Sequence, residues 1–533
     1  MRHALALLAP LAGALVMVLA ISTRASAQPN LPPPPPPPMD TTSPPPAPPP
    51  TGAPQPTQLP PGRAPAPTPT PKPRARAGGA PAGSIAPPPS DTDAPSDSDS
   101  STSGFLTTKT RLEPRELALK REGGYFTGLP LLNYDSNTGV GIGARAYYFW
   151  DGSRADPVFA YTPYLHRAFA QAFATTTGRQ YHLLDYDGVY VGRSPFRVRA
   201  GLVFERDTNA YYFGRGASTL APLSFPGSAD SYARLSEYED ATSRVQGDGT
   251  TYARYNRYIL TRPLARASLE RDLFGGAVRV LGGASLSYVT IRDYTGVDVA
   301  ATDASGASTR APEALTKLRG DCNAGRVVGC TDQWNNVVRV AIAYDTRDYE
   351  PDPTSGIFAD LTAEFSGAVI GSKHDYGRVT AAPRFFFSPM PKLARLVIAV
   401  RGVYSVEFGD VPFFDMSNFA FTDGDQTGLG GLRTIRGYRQ DRFVGKIAAF
   451  TNVEIRWTFA DVTTHGQRLQ FMVVPFLDMG RVFDDVRDTT LAGWKRGQGG
   501  ALRMGWNQAT IFSVDYGVSS EGSGLYVNFG HQF

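Results

Sequence analysis

The sequence predicts an all-β fold, a transmembrane antiparallel β-barrel of about sixteen strands preceded by a disordered proline-rich segment. Three observations carry that prediction. Beyond the N-terminal stretch no run of about 18 apolar residues occurs, so no helix is a credible membrane span. Apolar and polar residues alternate over segments of about ten residues, the pattern of strands that satisfy their backbone groups in a closed sheet. Aromatics gather at the strand ends, and compact turns such as "GRSPF" and "SPMPK" interleave with long polar excursions at 215–257, 293–335 and 409–446.

The chain opens with Arg2 and His3, a mostly apolar stretch from Ala4 to Ile21, and the small-residue site Ala25, Ser26, Ala27. This pattern predicts a signal peptide over 1–27 and Sec export. Residues 28–104 hold 28 of the 45 prolines and no Phe, Tyr or Trp. A segment of that composition cannot bury enough apolar surface to offset its ordering entropy, so it is expected to be a disordered periplasmic tether, with the cell wall as a candidate contact. Every aromatic residue falls within 105–533, the expected barrel domain.

The expected strands lie near 124–134, 139–150, 158–171, 179–191, 196–213, 258–270, 277–292, 336–347, 357–367, 374–388, 394–408, 447–460, 467–479, 498–506, 510–518 and 524–533. An even number puts both ends on the periplasmic side and all three long excursions on the outer surface. In "AAFTNVEIRWTF" the residues Val453, Ile455, Trp457 and Phe459 share one face, with Asn452, Glu454 and Arg456 opposite. The final segment sets Leu525, Val527, Phe529 and Phe533 on one side and Tyr526, Asn528, Gly530 and Gln532 on the other. Phe533, Phe529 and Val527 resemble the carboxy-terminal signal of bacterial outer-membrane barrels, which implies the outer-membrane assembly machinery as a partner. Glycines 139, 141 and 143 near the first hairpin, with Gly530 in the last strand, either loosen the seam between the first and last strands or make room for bulky lumen residues.

Cys322 and Cys330 enclose "NAGRVVG" in the second long excursion and are expected to form a disulfide. No histidine lies near them to complete a zinc site, and no metal or cofactor is expected. The net charge of +4 is too small to point to nucleic acid.

The segment "GLGGLRTIRGYRQDRF", residues 428–443, carries Arg433, Arg436, Arg439 and Arg442 among glycines. It resembles the VRGF/VRGY loop of the BamA/TamA-type outer-membrane barrel superfamily, also called the bacterial surface antigen family. The segments "AYDTRDYEPDPTSGIFADL", "FTNVEIRWTF", "VVPFLDMGRVFD" and "GGALRMGW" with "FSVDYG" resemble further strands of that family, in order. The resemblance covers the carboxy-terminal half well. It implies a loop that folds back into the barrel, with the motif Arg436, Gly437, Tyr438. It also implies Asp478 as the closest partner of Arg436, with Phe476 beside it and Glu454 second. An unpaired charge withdrawn into a lumen costs about 3–5 kcal/mol, so a carboxylate there is required on physical grounds as well. Arg433, Arg439 and Arg442 are read as surface arginines that face lipopolysaccharide. The family's periplasmic POTRA domains have no counterpart in the proline-rich stretch, so the chain reads as a barrel-only member.

Three functions compete. The resemblance implies a barrel that assists insertion or passage of protein or lipid at the outer membrane, with membrane lipid and client barrel proteins as partners. A passive pore and a surface-interaction barrel are the alternatives. An enzyme is not expected: the six histidines are scattered, and neither G-x-S-x-G nor H-E-x-x-H occurs.

Overall fold

The computed structural model describes residues 120–533 apart from 136–137, 163, 349–351, 392–394, 417, 423, 465–466 and 507–509, together with residues 106 and 117. The expected signal peptide and proline-rich segment lie outside the described residues, as does His465.

Sixteen strands close an antiparallel barrel: β1 (Gly124–Asp135), β2 (Gly139–Trp150), β3 (His166–Thr175), β4 (Gln180–Gly188), β5 (Phe196–Tyr211), β6 (Arg257–Leu273), β7 (Val278–Asp293), β8 (Val337–Asp345), β9 (Gly356–Ser366), β10 (Tyr376–Phe387), β11 (Arg395–Gly409), β12 (Ile447–Thr464), β13 (Gln467–Phe483), β14 (Lys495–Trp506), β15 (Thr510–Ser519) and β16 (Ser523–Phe529). Each pairs with its sequence neighbours, and β16 returns to β1. The strand period of two decides what faces where. In β8, Val338, Val340, Ile342 and Tyr344 are exposed on the outer surface, whereas Val337, Ala341 and Ala343 are buried within. Phe126, Trp150, Phe387 and Trp506 stand outward near strand ends on the side away from the long excursions, where an interfacial girdle is needed. Among the described residues no helix is long and apolar enough to cross a membrane.

β12, β13 and β14 run longer than their alternation indicates. Asp461–Thr464 stay paired with Gln467–Gln470 past a register shift at Thr458/Ala460, and Lys495 already opposes Gly480. Backbone pairing continues there after the apolar alternation has ended.

The lumen has two unlike halves. Against β4 to β7 it is polar and ion-paired: Arg197 meets Asp187 at 2.6 Å, Arg262 meets Glu205 at 2.7 Å and Arg199 meets Glu270 at 2.9 Å. Against β10 to β13 it holds a core in which Leu429, Ile435, Tyr438 and Phe443 of the third excursion pack on Phe419, Phe421, Phe450 and Val482. Burying this apolar cluster offsets the entropy of ordering a long loop inside the barrel.

The other two excursions are folded, which polar composition alone did not indicate. The first contains α1 (Leu235–Ser243) and a cluster of Leu223, Phe225 and Tyr238 with Tyr232 and Tyr252 around it. The second contains a two-stranded ribbon (Asp298–Thr302 with Ser308–Pro312) and α2 (Lys317–Asn323). The two are joined by backbone bonds between Thr251 and Pro312 and between Ala314 and Thr251. Cys322 and Cys330 form a disulfide, which lies against Leu318, Val327, Phe413 and Phe414. At the opposite rim Leu106 packs with Val158, Leu165 and Tyr190, and Lys120 donates to the carbonyls of Phe159 at 2.6 Å and Thr162 at 2.8 Å. These contacts tie the approach to β1 to the β2–β3 connection.

Candidate functional site

The glycine-rich loop 428–443 enters the lumen through a tight backbone path. Gly430 and Gly437 have φ of +117° and +97°, in the region where a side chain is strained. Thr434 stabilises the turn, since its hydroxyl accepts from the Gly430 amide at 2.9 Å. The wall is cut to receive the loop. A Cβ on Gly517 of β15 would lie 2.7 Å from the Arg436 Cβ, and one on Gly497 of β14 would collide with the Arg436 carbonyl oxygen. Gly497 and Gly517 therefore carry no side chain where the loop passes the wall.

Arg436 is fully buried. Its Nε donates to Asp478 Oδ2 at 2.7 Å and its Nη2 to Asp478 Oδ1 at 2.9 Å, a bidentate fork. Its own amide also donates to Asp478, at 3.1 Å. Nη1 reaches Asp515 at 2.7 Å and Glu454 at 3.1 Å. The Phe476 ring lies under the guanidinium, with its centroid 3.3 Å from Cζ. Two wall arginines complete the cluster: Arg503 donates to Glu454 at 2.7 and 2.8 Å, and Arg456 donates to it at 3.0 Å. Three guanidiniums thus face three carboxylates, and the buried charge sums to zero. Asn452 extends the network, donating to Asp478 at 2.7 Å and to the Thr434 carbonyl at 2.6 Å.

Arg436 is thus brought together with Asp478, Glu454 and Phe476, while Asp515 is a third carboxylate contact. Gly437 donates its amide to the Tyr526 hydroxyl at 3.2 Å, and the Tyr438 hydroxyl lies 2.9 Å from Ser520 Oγ. The surface reading of the other three arginines is corrected. Arg442 is buried and forks onto Glu521 at 2.8 and 2.9 Å, also donating to the carbonyls of Thr219 and Ala221. Arg439 donates to Glu239 of α1 at 3.1 Å, and Arg433 donates to the carbonyls of His531 and Gln532 at 3.3 and 3.5 Å. The acidic partners sit on other loops, and the loop sequence holds no sign of them. The wall glycines were open to detection: Gly497 and Gly517 both fall in lumen register, on two adjacent strands.

The C-terminal residues also depart from expectation. Leu525 and Phe529 face outward, but the strand ends at Phe529, and Gly530 turns the chain with φ of +90°. Phe533 therefore lies within the lumen, packed on Phe386, Arg401 and Arg456, rather than on the face of Val527 and Phe529. His531 bridges Asp352 at 2.8 Å and Arg503 at 2.7 Å. In the first hairpin, a Cβ on Gly141 or Gly143 would press on Phe173 of β3, so both glycines make room for a lumen ring.

Residues 221–533, more than half of the chain, match the family model "Omp85 superfamily domain", and residues 103–165 match a domain of unknown function. No curated protein matches. Among solved structures, BamA from Haemophilus ducreyi lacking POTRA domains 1–3 is similar at 12% identity and TM-score 0.45, over 77% of this chain and 70% of that one. CdiB from Escherichia coli is similar at 9% identity and TM-score 0.42, over 77% and 69%. The chain belongs to the Omp85 superfamily and is a β-barrel of the bacterial outer membrane.

Proposed function

We propose that the barrel assists insertion or passage of protein or lipid at the outer membrane, and that the junction of β1 and β16 is where it acts. The observation that carries this reading is the meagre pairing of that junction. β1 is paired with β2 along its whole length, yet among the described residues it meets β16 only at Tyr134↔Val527 and Asp135↔Tyr526. Below those pairs no described β1 residue is in register with β16, which offers an edge to an added strand. β16 is short, and its continuation turns inward at Gly530, which shortens the barrel wall on that side.

The Arg436 cluster serves, in this reading, as the brace that fixes the loop while the junction opens. The neutral charge balance and the fork on Asp478 support that role. The filled half of the lumen speaks against a passive pore. The folded outer loops favour a surface-interaction role as the second reading. In this reading a signal peptide over 1–27 delivers the barrel, the tether over 28–104 links it to the wall, and its partners are client barrels, lipid and the assembly machinery.

The test is the folding rate of an unrelated small outer-membrane barrel into liposomes that contain the full-length mature protein. Acceleration over empty liposomes is expected. An unchanged rate removes the insertion role and leaves the surface reading.

A further inference from the structure

The lumen wall of β3 to β7 carries a second charge cluster, and it is built unlike the one around Arg436. Outward leucines at 184, 202 and 269 fix the register, which turns the charged residues between them inward. Neighbouring strands then lay opposite charges side by side: Arg167 faces Asp187, Asp187 faces Arg199, Arg197 faces Glu270 and Asp272 faces Arg279. Asp187 is saturated, since Arg197 forks onto it at 2.7 and 2.6 Å and the Tyr164 hydroxyl donates to it at 2.9 Å. Arg199 reaches Glu270 at 2.9 Å, and Arg279 lies 3.3 Å from Asp272. Asp185 is held more loosely, with Arg266 at 3.4 Å and Arg167 at 3.5 Å. The charge of this belt does not cancel: among the described residues its ion pairs link five guanidiniums to four carboxylates. Its charges are also sorted by depth. The five arginine side chains are 18–43% exposed, Arg266 most of all, whereas Asp187, Glu270 and Asp185 are 0, 2 and 12% exposed. The carboxylates are recessed against the wall, so a solute in this half of the lumen meets guanidinium donors first.

We propose that this belt is a binding site for a phosphate-class oxyanion, taken either as the free ion or as the phosphate of a lipid headgroup. A guanidinium presents paired N–H donors that match two oxygens of a phosphate, and shared carboxylates hold five such groups in one patch. A multivalent oxyanion bridges neighbouring forks, which a halide cannot do. Arg266 and Arg199 are the contact residues: Arg266 is the most exposed and its carboxylate is distant, and Arg199 stands 28% exposed between the carboxylates of β4 and β6. Asp185 is the competitor that the ligand displaces from Arg266 and Arg167. The site lies toward the rim opposite the outer loops, where β4 ends and β5 begins. It needs no client and stands apart from the proposed activity.

Isothermal titration calorimetry tests it, on the full-length mature protein in phosphate-free maltoside micelles at low ionic strength, with compact gel mobility confirming that each variant is folded. Inorganic phosphate and glycerol 3-phosphate are titrated separately, with chloride as the control. Saturable binding of either phosphate compound, and none of chloride, is expected; tighter phosphate assigns the free ion, and tighter glycerol 3-phosphate assigns the headgroup. Arg266→Gln and Arg199→Gln are each expected to weaken that binding by on the order of tenfold. Asp185→Asn is expected to tighten it by about threefold, because the competing acceptor is gone. Arg206→Gln, on the outward face of β5, should leave it unchanged. A parent that binds neither phosphate compound saturably overturns the proposal, whatever the variants do. So does chloride binding as tight as phosphate, an Asp185→Asn variant that binds more weakly, or an equal loss in Arg206→Gln and Arg266→Gln.

Discussion

Replacing Arg436 by alanine removes one of three positive charges from a cluster that sums to zero, and the structure tells which carboxylate is stranded. Glu454 keeps two guanidiniums, Arg503 at 2.7 Å and Arg456 at 3.0 Å. Asp515 keeps Ser513 and a longer contact with Arg503 at 3.5 Å. Asp478 loses its bidentate partner and keeps chiefly Asn452, at 2.7 Å. A buried carboxylate left in that state costs about 3–5 kcal/mol, to which loss of the cation–ring contact with Phe476 adds about 1 kcal/mol. The assay is the temperature at which the folded barrel loses its compact gel mobility, which should fall clearly in Arg436→Ala. Adding Asp478→Asn should return roughly half of the loss, because the stranded charge is then gone. Adding Glu454→Gln should deepen it, because Arg503 and Arg456 lose their shared acceptor. Unchanged mobility in Arg436→Ala refutes the reasoning, as does better rescue by Glu454→Gln than by Asp478→Asn.

Gly517→Val places a side chain where the Arg436 Cβ sits, so the loop should lift and become sensitive to protease, at a cost of about 1–3 kcal/mol; Gly500→Ala, with nothing within 4 Å, should be silent. Glu313 in the second outer loop is buried, with one oxygen accepting from the Arg254 amide at 2.9 Å and the other unpartnered, and burial pushes its carboxyl up from 4.5 to about 8. The folded outer loops therefore hold that proton while the unfolded chain has released it, so their stability should fall as pH rises from about 4.5 to about 8, and Glu313→Gln should flatten the dependence of loop hydrogen exchange on pH. Replacing Cys322 and Cys330 by serine opens a crosslink of sequence separation 8, and should cost the outer loop layer about 2–3 kcal/mol, seen as earlier loop cleavage with unchanged barrel mobility.

The barrel was legible because its strands alternate in a way few other folds require: Val338, Val340, Ile342 and Tyr344 face outward at every second position. Arg436 stood out through its glycine setting. Its neighbours did not, for a physical reason: Arg442 and Arg439 are neutralised by Glu521 and Glu239, partners 79 and 200 residues away in sequence. Pairing across such spans is set by closure of the barrel, and a local stretch carries no trace of it. The outer loops looked polar because tyrosine supplies much of their core, as in the cluster of Tyr232, Tyr238 and Tyr252 around Phe225. The inward turn of Phe533 was hidden because alternation was extrapolated across Gly530, the one residue there that frees the backbone to turn.

The central claim is that the junction of β1 and β16 carries the activity, and locking it tests this most directly. Tyr134 and Val527 are register partners across the junction, so Tyr134→Cys with Val527→Cys places two thiols where a disulfide can form. The measurement is the folding rate of a small client barrel into liposomes holding this variant, oxidised and then reduced, with the parent protein treated identically to control for the native disulfide. The account predicts acceleration in the reduced variant and none in the oxidised one, with the parent indifferent to the treatment. Equal acceleration in the locked and unlocked states would contradict it.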